Sequence, residues 1–206
     1  MSKGKAALRV AVISTALVLV AHLLDGWFYA HFVDEAVYEH DWGRLLRIMG
    51  YFPTWVIAAL ALVLTDWPLR AAGGLGRAFE RGLLLFGGAA AGGIAAELLK
   101  LMFRRERPRA HEGEYFFRSF ADRPLHTGGL ALPSSHALVA FAASAMLARL
   151  FPRAAPVWYA LAAGCALTRV AAQAHFLSDV VIAAIAAWLV VAWIWKRKER
   201  RATRAT

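Results

Sequence analysis

The sequence predicts an all-α protein that crosses a membrane six times. Of its 206 residues, 60% are hydrophobic and only 18% are charged. Soluble domains are nearer half apolar and a quarter charged. The apolar residues form long continuous blocks, whereas the strands of a membrane barrel would alternate apolar and polar positions. At about 1.5 Å per residue, each block can cross or nearly cross a hydrocarbon core of about 30 Å.

Six apolar blocks are predicted to be the membrane helices. They cover about residues 7–29, 48–65, 78–103, 134–151, 156–174 and 177–195. The first block follows basic residues as a signal peptide would, but it is long and lacks a clear cleavage site, so an uncleaved helix is predicted. Gly87-Gly88 and Gly92-Gly93 in the third block predict close contact with another helix. No linker or repeat divides the chain, and residues 1–206 are predicted to form one domain.

The distribution of charge predicts the orientation of these helices. Basic residues mark the N-terminus, the loop 66–77, the turn around Arg149 and Arg153 and the C-terminal tail, which are therefore expected to be cytoplasmic. The net charge of +10 is explained in this way without nucleic acid as a partner. The outer loop 104–133 departs from the pattern, with six arginines against four acidic residues, and this excess predicts an anionic substrate. We expect a bacterial inner membrane protein with its functional site at the outer face.

Three polar clusters interrupt the apolar sequence. The first runs from Lys100 to Arg107-Pro108, the second is Pro133-Ser134-Ser135-His136, and the third contains Thr168-Arg169, His175 and Asp179. In the six-helix topology all three lie at the outer ends of helices. They are therefore predicted to form one site.

The cationic residues of these clusters suit a phosphate. Lys100, Arg107 and Arg169 can neutralise a phosphoryl group, and guanidinium groups can bind its oxygens in pairs. Lys100 and Arg169 lie in or near apolar sequence, where an ionisable residue is a functional hypothesis by default. For three neighbouring arginines, the favoured interpretation is instead that their side chains snorkel to lipid headgroups: Arg104, Arg105 and Arg109.

Two histidines supply reactive groups. His175 and Asp179 are four residues apart and share a helix face, so the carboxylate can fix the tautomer and leave one ring nitrogen free to attack phosphorus. His136 follows a serine turn whose hydroxyl and N–H groups can bind phosphate, and it can protonate a leaving oxygen. Taken alone, each motif has a simpler interpretation. These are a capping aspartate beside a core histidine, and a serine N-cap.

Together the three clusters resemble the motifs of the type 2 phosphatidic acid phosphatase (PAP2) family, whose superfamily includes the vanadium haloperoxidases. Six residues separate Lys100 from Arg107-Pro108, and five separate Arg169 from His175. Two positions differ from the usual pattern. Ser135 replaces a glycine of the turn motif, and Thr168 replaces a serine.

The resemblance implies a helical haloperoxidase-like core and a mechanism without metal or cofactor. His175 would form a phosphohistidine, oriented by Asp179, and His136 would protonate the leaving group and then activate water. Five residues would hold the phosphate: Lys100, Arg107, Ser134, Ser135 and Arg169. Glu97 can pair with Lys100 and is not assigned to the site.

The expected function is therefore hydrolysis of a terminal phosphate from a membrane lipid. Candidate substrates are polyprenyl diphosphate, phosphatidylglycerophosphate, phosphatidic acid and the phosphates of lipid A, and the arginines of 104–118 favour a diphosphate. Two alternatives stay open: a lipid phosphotransferase using the same intermediate, and a non-catalytic lipid-binding or transport protein. The sequence also leaves open the oligomeric state and whether 110–130 forms a lid or a short helix around Tyr115-Phe116-Phe117.

Overall fold

The computed structural model describes residues 3–204, and its helices confirm the predicted all-α class. Seven α-helices and three short 3₁₀ turns account for the regular structure of this range, together with two isolated β-bridges. The α-helices are α1 (Lys3–His31), α2 (Asp41–Ile48), α3 (Phe52–Asp66), α4 (Arg70–Phe103), α5 (Ser135–Leu150), α6 (Ala155–Ala171) and α7 (Leu177–Arg204).

Five helical segments within the described range are long and apolar enough to cross a membrane. They are Gly4–His31, Phe52–Leu69, Gly73–Phe103, Pro152–Ala171 and Leu177–Arg204. The predicted block 134–151 forms α5, which is apolar but has only 16 residues, or about 24 Å of helix. The helix positions therefore follow the prediction, whereas the count of six full-length spans is not reproduced.

Helix α5 is the centre of the bundle. It packs against α4, α6 and α7, and Leu138 and Met146 on it are fully buried. On the α4 side, a Cβ atom at Gly92 would lie 2.8 Å from Ala142 Cβ, so only glycine permits this approach. One glycine of each predicted pair, Gly88 and Gly92, thus serves close helix contact, whereas a Cβ at Gly87 would meet nothing within 4 Å.

Two local features differ from the prediction. The loop expected at 30–47 contains the short amphipathic helix α2, which exposes Trp42 and Leu45. The range of α4 begins at Arg70, inside the loop expected at 66–77, but Gly74 has a non-helical backbone (φ 71°), so a short helical stretch before it is joined through a kink to the long helix. Mixed charges in the first case and two adjacent glycines in the second conceal the helical pattern in the sequence.

The segment between α4 and α5 is irregular. It contains the 3₁₀ turn Pro108–His111, and two antiparallel bridges join Arg105 and Glu106, just before this turn, to Phe117 and Leu130 beyond it. No helix forms around residues 115–117. Of the two forms considered for residues 110–130, the helical one is therefore excluded.

Candidate active site

The three polar clusters meet at one end of the bundle. The last turns of α4 and α6, the first turns of α5 and α7 and the turn between α6 and α7 all contribute. The backbone N–H of Ser134 donates to the carbonyl of Asp179 at 3.3 Å, which joins the start of α5 to the start of α7. Arg169 lies near enough to interact electrostatically with Lys100, Arg107 and His136. The predicted site residues are thus brought together: Lys100, Arg107, Ser134, Ser135, His136, Arg169, His175 and Asp179.

The cations of the site keep donors available. Arg169 is buried and donates through Nη1 to the Tyr38 hydroxyl at 2.8 Å, while its Nε has no hydrogen-bond partner among residues 3–204. Partial loss of hydration and the nearby Arg169 cation both lower the pKa of Arg107. Two like charges and an unused buried donor make this a place where an anion is stabilised.

The N-terminus of α5 adds neutral donors. Ser134 is the N-cap, and its Oγ accepts from the N–H of Ala137 at 3.4 Å. The N–H groups of Ser135 and His136 have no intrahelical acceptor, as expected for the first turn of a helix, and they lie at its positive end. Such a terminus is suited to bind a phosphate oxygen.

His175 is held as a neutral imidazole. Its Nδ1 lies 2.9 Å from the carbonyl oxygen of Ala131. A carbonyl only accepts, so Nδ1 carries the proton and Nε2 keeps its lone pair. Burial lowers the pKa of His175 to about 4; Asp179 opposes this shift, and Arg169 and Arg107 add to it. Nε2 is therefore an unprotonated nitrogen in the electrostatic field of two cations, Arg107 and Arg169.

Asp179 is bound mainly to other groups. Its Oδ2 is 3.7 Å from His175 Nδ1, beyond hydrogen-bond distance, but accepts from the N–H of Phe176 at 2.8 Å. Its Oδ1 forms a buried ion pair with Arg105. Asp179 thus caps α7 and anchors the turn that carries His175, while the Ala131 carbonyl fixes the tautomer.

A sequence model of the PAP2 superfamily matches residues 81–202, more than half of the chain. The chain belongs to the PAP2 superfamily. It is 38% identical over 97 residues to a lipid A 1-phosphatase of Rhizobium johnstonii, and the aligned region covers 47% of this chain and 39% of that protein. A lipid A 1-phosphatase of Rhizobium etli is 36% identical over 100 residues, covering 48% and 43%. The chain thus matches less than half the length of these curated relatives. No solved structure is significantly similar to it.

The prediction that Arg104 and Arg105 snorkel to headgroups is wrong. They are 1% and 2% exposed, and Arg104 donates to four backbone carbonyls between residues 118 and 124. Arg118 likewise binds the Glu106 carboxylate and the carbonyls of His126 and Gly128. A segment without regular structure needs donors for its carbonyls, and guanidinium groups supply several each. Arg109 is exposed and pairs with Glu35 at 3.5 Å.

Three residues next to the PAP2 motifs were not assigned to the site from the sequence. Glu97 Oε1 accepts from Lys100 Nζ at 3.2 Å and from Ser135 Oγ at 2.8 Å. The Tyr38 hydroxyl donates to the carbonyl of Thr168 at 3.1 Å while accepting from Arg169. Gly50 lies against His136, where an added Cβ would be 2.6 Å from His136 Cβ. The spacing of Glu97, three residues before Lys100, could have indicated its place in the site. Tyr38 and Gly50 precede the region that matches the family, and no motif in the sequence marks them.

Proposed function

We propose that this protein is a membrane lipid phosphatase that forms a phosphohistidine on His175. The observation that carries the proposal is the buried imidazole of His175, whose Nδ1 proton is directed to a carbonyl and whose Nε2 is free, in an electrostatic field of Arg107 and Arg169. A neutral nitrogen nucleophile among fixed cations suits attack on a phosphoryl group.

In the first step, Lys100, Arg107, Arg169 and the start of α5 hold the phosphate. Nε2 of His175 attacks phosphorus and the ester bond to the lipid oxygen breaks. Once the phosphate anion is bound beside it, His136 is held as the imidazolium and gives its proton to that oxygen, so that an alcohol leaves. The imidazole ring becomes cationic while Nδ1–H keeps its hydrogen bond to the Ala131 carbonyl.

In the second step, neutral His136 takes a proton from a water molecule. The water oxygen attacks phosphorus, the N–P bond breaks and its electron pair returns to Nε2. Inorganic phosphate leaves, and both histidines have their starting protonation states. In a phosphotransferase, a lipid hydroxyl would replace this water.

A groove beside the site supports a lipid as substrate. It has a volume of about 480 Å³, lies between the start of α3 and the second half of α4, and is apolar except for Glu97. Its lining residues are Phe52, Ala90, Gly93, Ile94, Glu97, Leu98 and Leu101. Since Glu97 also contacts Lys100 and Ser135, a tail in the groove would be continuous with a phosphate in the site.

Within the lipid class, we place a lipid A-type sugar phosphate first. The support is the name of the two curated relatives. The sequence-based preference for a diphosphate keeps the support of the three site cations but loses that of Arg104, Arg105 and Arg118, which are bound within the protein.

We propose an inner-membrane location, cytoplasmic termini and a site at the outer face. The basic end of α7, opposite the site, supports this orientation. The contacts of α1 with α7 support one domain over residues 1–206.

Phosphate release from a panel of lipids in detergent, with EDTA present, tests the proposal. The panel contains lipid A phosphate, phosphatidylglycerophosphate, phosphatidic acid and polyprenyl diphosphate. We expect wild type to release phosphate from at least one lipid and His175→Ala to be slower by more than about 10³-fold, as for loss of a nucleophile. His31→Ala, which changes an exposed histidine of α1, is the control and is expected to match wild type.

Equal release by wild type and His175→Ala would refute the mechanism. Radiolabel that appears in a second lipid in place of free phosphate would identify a phosphotransferase. Release from soluble phosphomonoesters alone would refute the lipid assignment.

A further inference from the structure

Asp25 is a buried carboxylate in the first membrane helix. It is 1% exposed, although most of α1 faces outward. An ionisable residue inside a membrane helix is costly and is a functional hypothesis by default. Asp25 also lies outside residues 81–202, which carry the PAP2 match.

Asp25 accepts hydrogen bonds from three donors. Its Oδ1 accepts from the backbone N–H of Ser178 at 2.8 Å. Its Oδ2 accepts from the Ser178 hydroxyl at 2.5 Å and the Tyr115 hydroxyl at 2.9 Å. His22 lies 3.7 Å away and stacks on Tyr115. Asp25, on α1, therefore caps the N-terminus of α7. Both of its oxygens act only as acceptors, as in an ionised carboxylate.

Ser178 connects Asp25 to the candidate active site. The Ser178 hydroxyl donates a hydrogen bond to Asp25, so its oxygen can accept one from Arg105 Nη2 at 2.8 Å. Arg105 in turn forms the buried ion pair with Asp179. These hydrogen bonds run without interruption from α1 to the turn that holds His175.

The network contains two carboxylates for one guanidinium. The Arg105 guanidinium also lies over the rings of Tyr115 and Phe176, at 5.2 and 5.1 Å, which help to keep water from it. Attack by Nε2 makes the His175 ring cationic, and the Asp179 carboxylate, 3.7 Å from Nδ1, can stabilise that cation in the transition state as long as the network holds it there.

We propose that Asp25 is a positioning residue of the reaction. It fixes the turn that carries His175 through Ser178, Arg105 and Asp179, and so keeps the Asp179 carboxylate beside the imidazole that becomes cationic in the phosphohistidine step. The inference rests on the proposed phosphatase function and assigns a part in it to α1.

Kinetics of Asp25→Asn test this role. We expect kcat to fall on the order of 10- to 100-fold, as for outer groups that orient reacting residues, while KM for the lipid is unchanged. Ser178→Ala should have a similar effect, and the double variant should be no slower than the more impaired single variant because both break one network. Asp66→Asn is the matched control: Asp66 is another buried carboxylate, ion-paired with Arg81 at the other end of the bundle. It should lose stability but retain kcat.

Hydrogen exchange supplies a readout that does not need turnover. Residues 172–180 should exchange faster in Asp25→Asn than in wild type, and Asp66→Asn should leave them unchanged. Wild-type kcat in Asp25→Asn, fully additive losses in the double variant, or unchanged exchange in 172–180 would each overturn the proposal. If wild type hydrolyses no lipid phosphate, the proposed function fails, and the exchange experiment still decides whether Asp25 positions the turn.

Discussion

Two helix N-termini, those of α5 and α7, meet at the candidate site and differ in how their donors are used. Both are positive ends of helix dipoles with first-turn N–H groups to satisfy. At α5, Ser134 caps one N–H and leaves those of Ser135 and His136 for a ligand. At α7, the carboxylates of Asp25 and Asp179 take the N–H groups of Ser178 and Phe176.

Whether the N-terminus of a helix can bind an anion depends on the groups that accept its first-turn N–H hydrogen bonds. The carboxylates at α7 occupy its donors and compensate its positive end, so that terminus repels an anion and holds His175 in place. The uncompensated end of α5 faces the same space and attracts one. One site thus has an open terminus for phosphate and a closed terminus for the nucleophile.

Breaking the closed terminus should have the largest effect. Arg105→Gln leaves the Asp179 carboxylate buried without its ion pair, and we expect the free energy of unfolding to fall by about 3–5 kcal/mol. Thermal or denaturant unfolding in detergent measures this. Arg109→Gln removes an exposed arginine paired with exposed Glu35 and should cost at most about 1 kcal/mol. Equal losses in the two variants would contradict the closed terminus.

A change in Arg169, which faces the phosphate together with the open terminus of α5, should lower the rate of catalysis and leave the stability of the fold unchanged. Arg169→Lys keeps the charge but removes the planar guanidinium with its unused Nε donor, so kcat/KM should fall by about 10²-fold. Steady-state phosphate release is the measurement. Arg149→Lys, at the far end of α5, should behave as wild type. A loss confined to stability would mean that Arg169 serves the fold alone.

A bulky side chain in the apolar groove between α3 and α4 should weaken binding of the lipid tail without affecting the binding of the phosphate. Ala90→Phe places a large side chain among the residues that line it, and we expect kcat/KM to fall about tenfold for a long-chain lipid phosphate. A soluble phosphomonoester should be hydrolysed at the wild-type rate. Ala95→Phe, in a separate apolar groove between α1, α4 and α7, is the control for added bulk on α4. Parallel losses with both substrates would exclude a tail site there.

The dependence on pH should show the smallest change. His175 must be neutral to attack, and its pKa of about 4 keeps it neutral at pH 5–6, where a histidine with an ordinary pKa near 6.5 would be largely protonated. The nucleophile should therefore add no loss of kcat/KM until pH approaches 4. The unfolded chain takes up this proton below pH 6.5, so the contribution to stability is complete above 6.5 and declines toward pH 4. A pH profile of kcat/KM with an acid midpoint near 6.5 assigned to His175 would contradict this.

The sequence predicted the helices and the meeting of the motif residues because both are repeated or spaced patterns. Apolar blocks located five long helices and α5, and the motif spacing located His136, Arg169 and His175. The burial of Arg104 could not be predicted from the sequence, because its hydrogen-bond acceptors are carbonyls of an irregular segment that has no periodicity. Asp25 gave no signal either, since its partner Ser178 is 153 positions away.

That separation has a consequence for how the protein is made. The first helix is synthesised and inserted long before the seventh exists, so Asp25 enters the bilayer without the donors that satisfy it. A lone carboxylate costs about 2.5–3.5 kcal/mol at the centre of a membrane helix on insertion scales, and less at Asp25, which lies six residues before the end of α1. The arrival of α7 removes this cost by supplying Ser178. Insertion of α7 thus completes the hydrogen bonding of α1, and a nascent chain that stops before α7 keeps a carboxylate without these donors in its first helix.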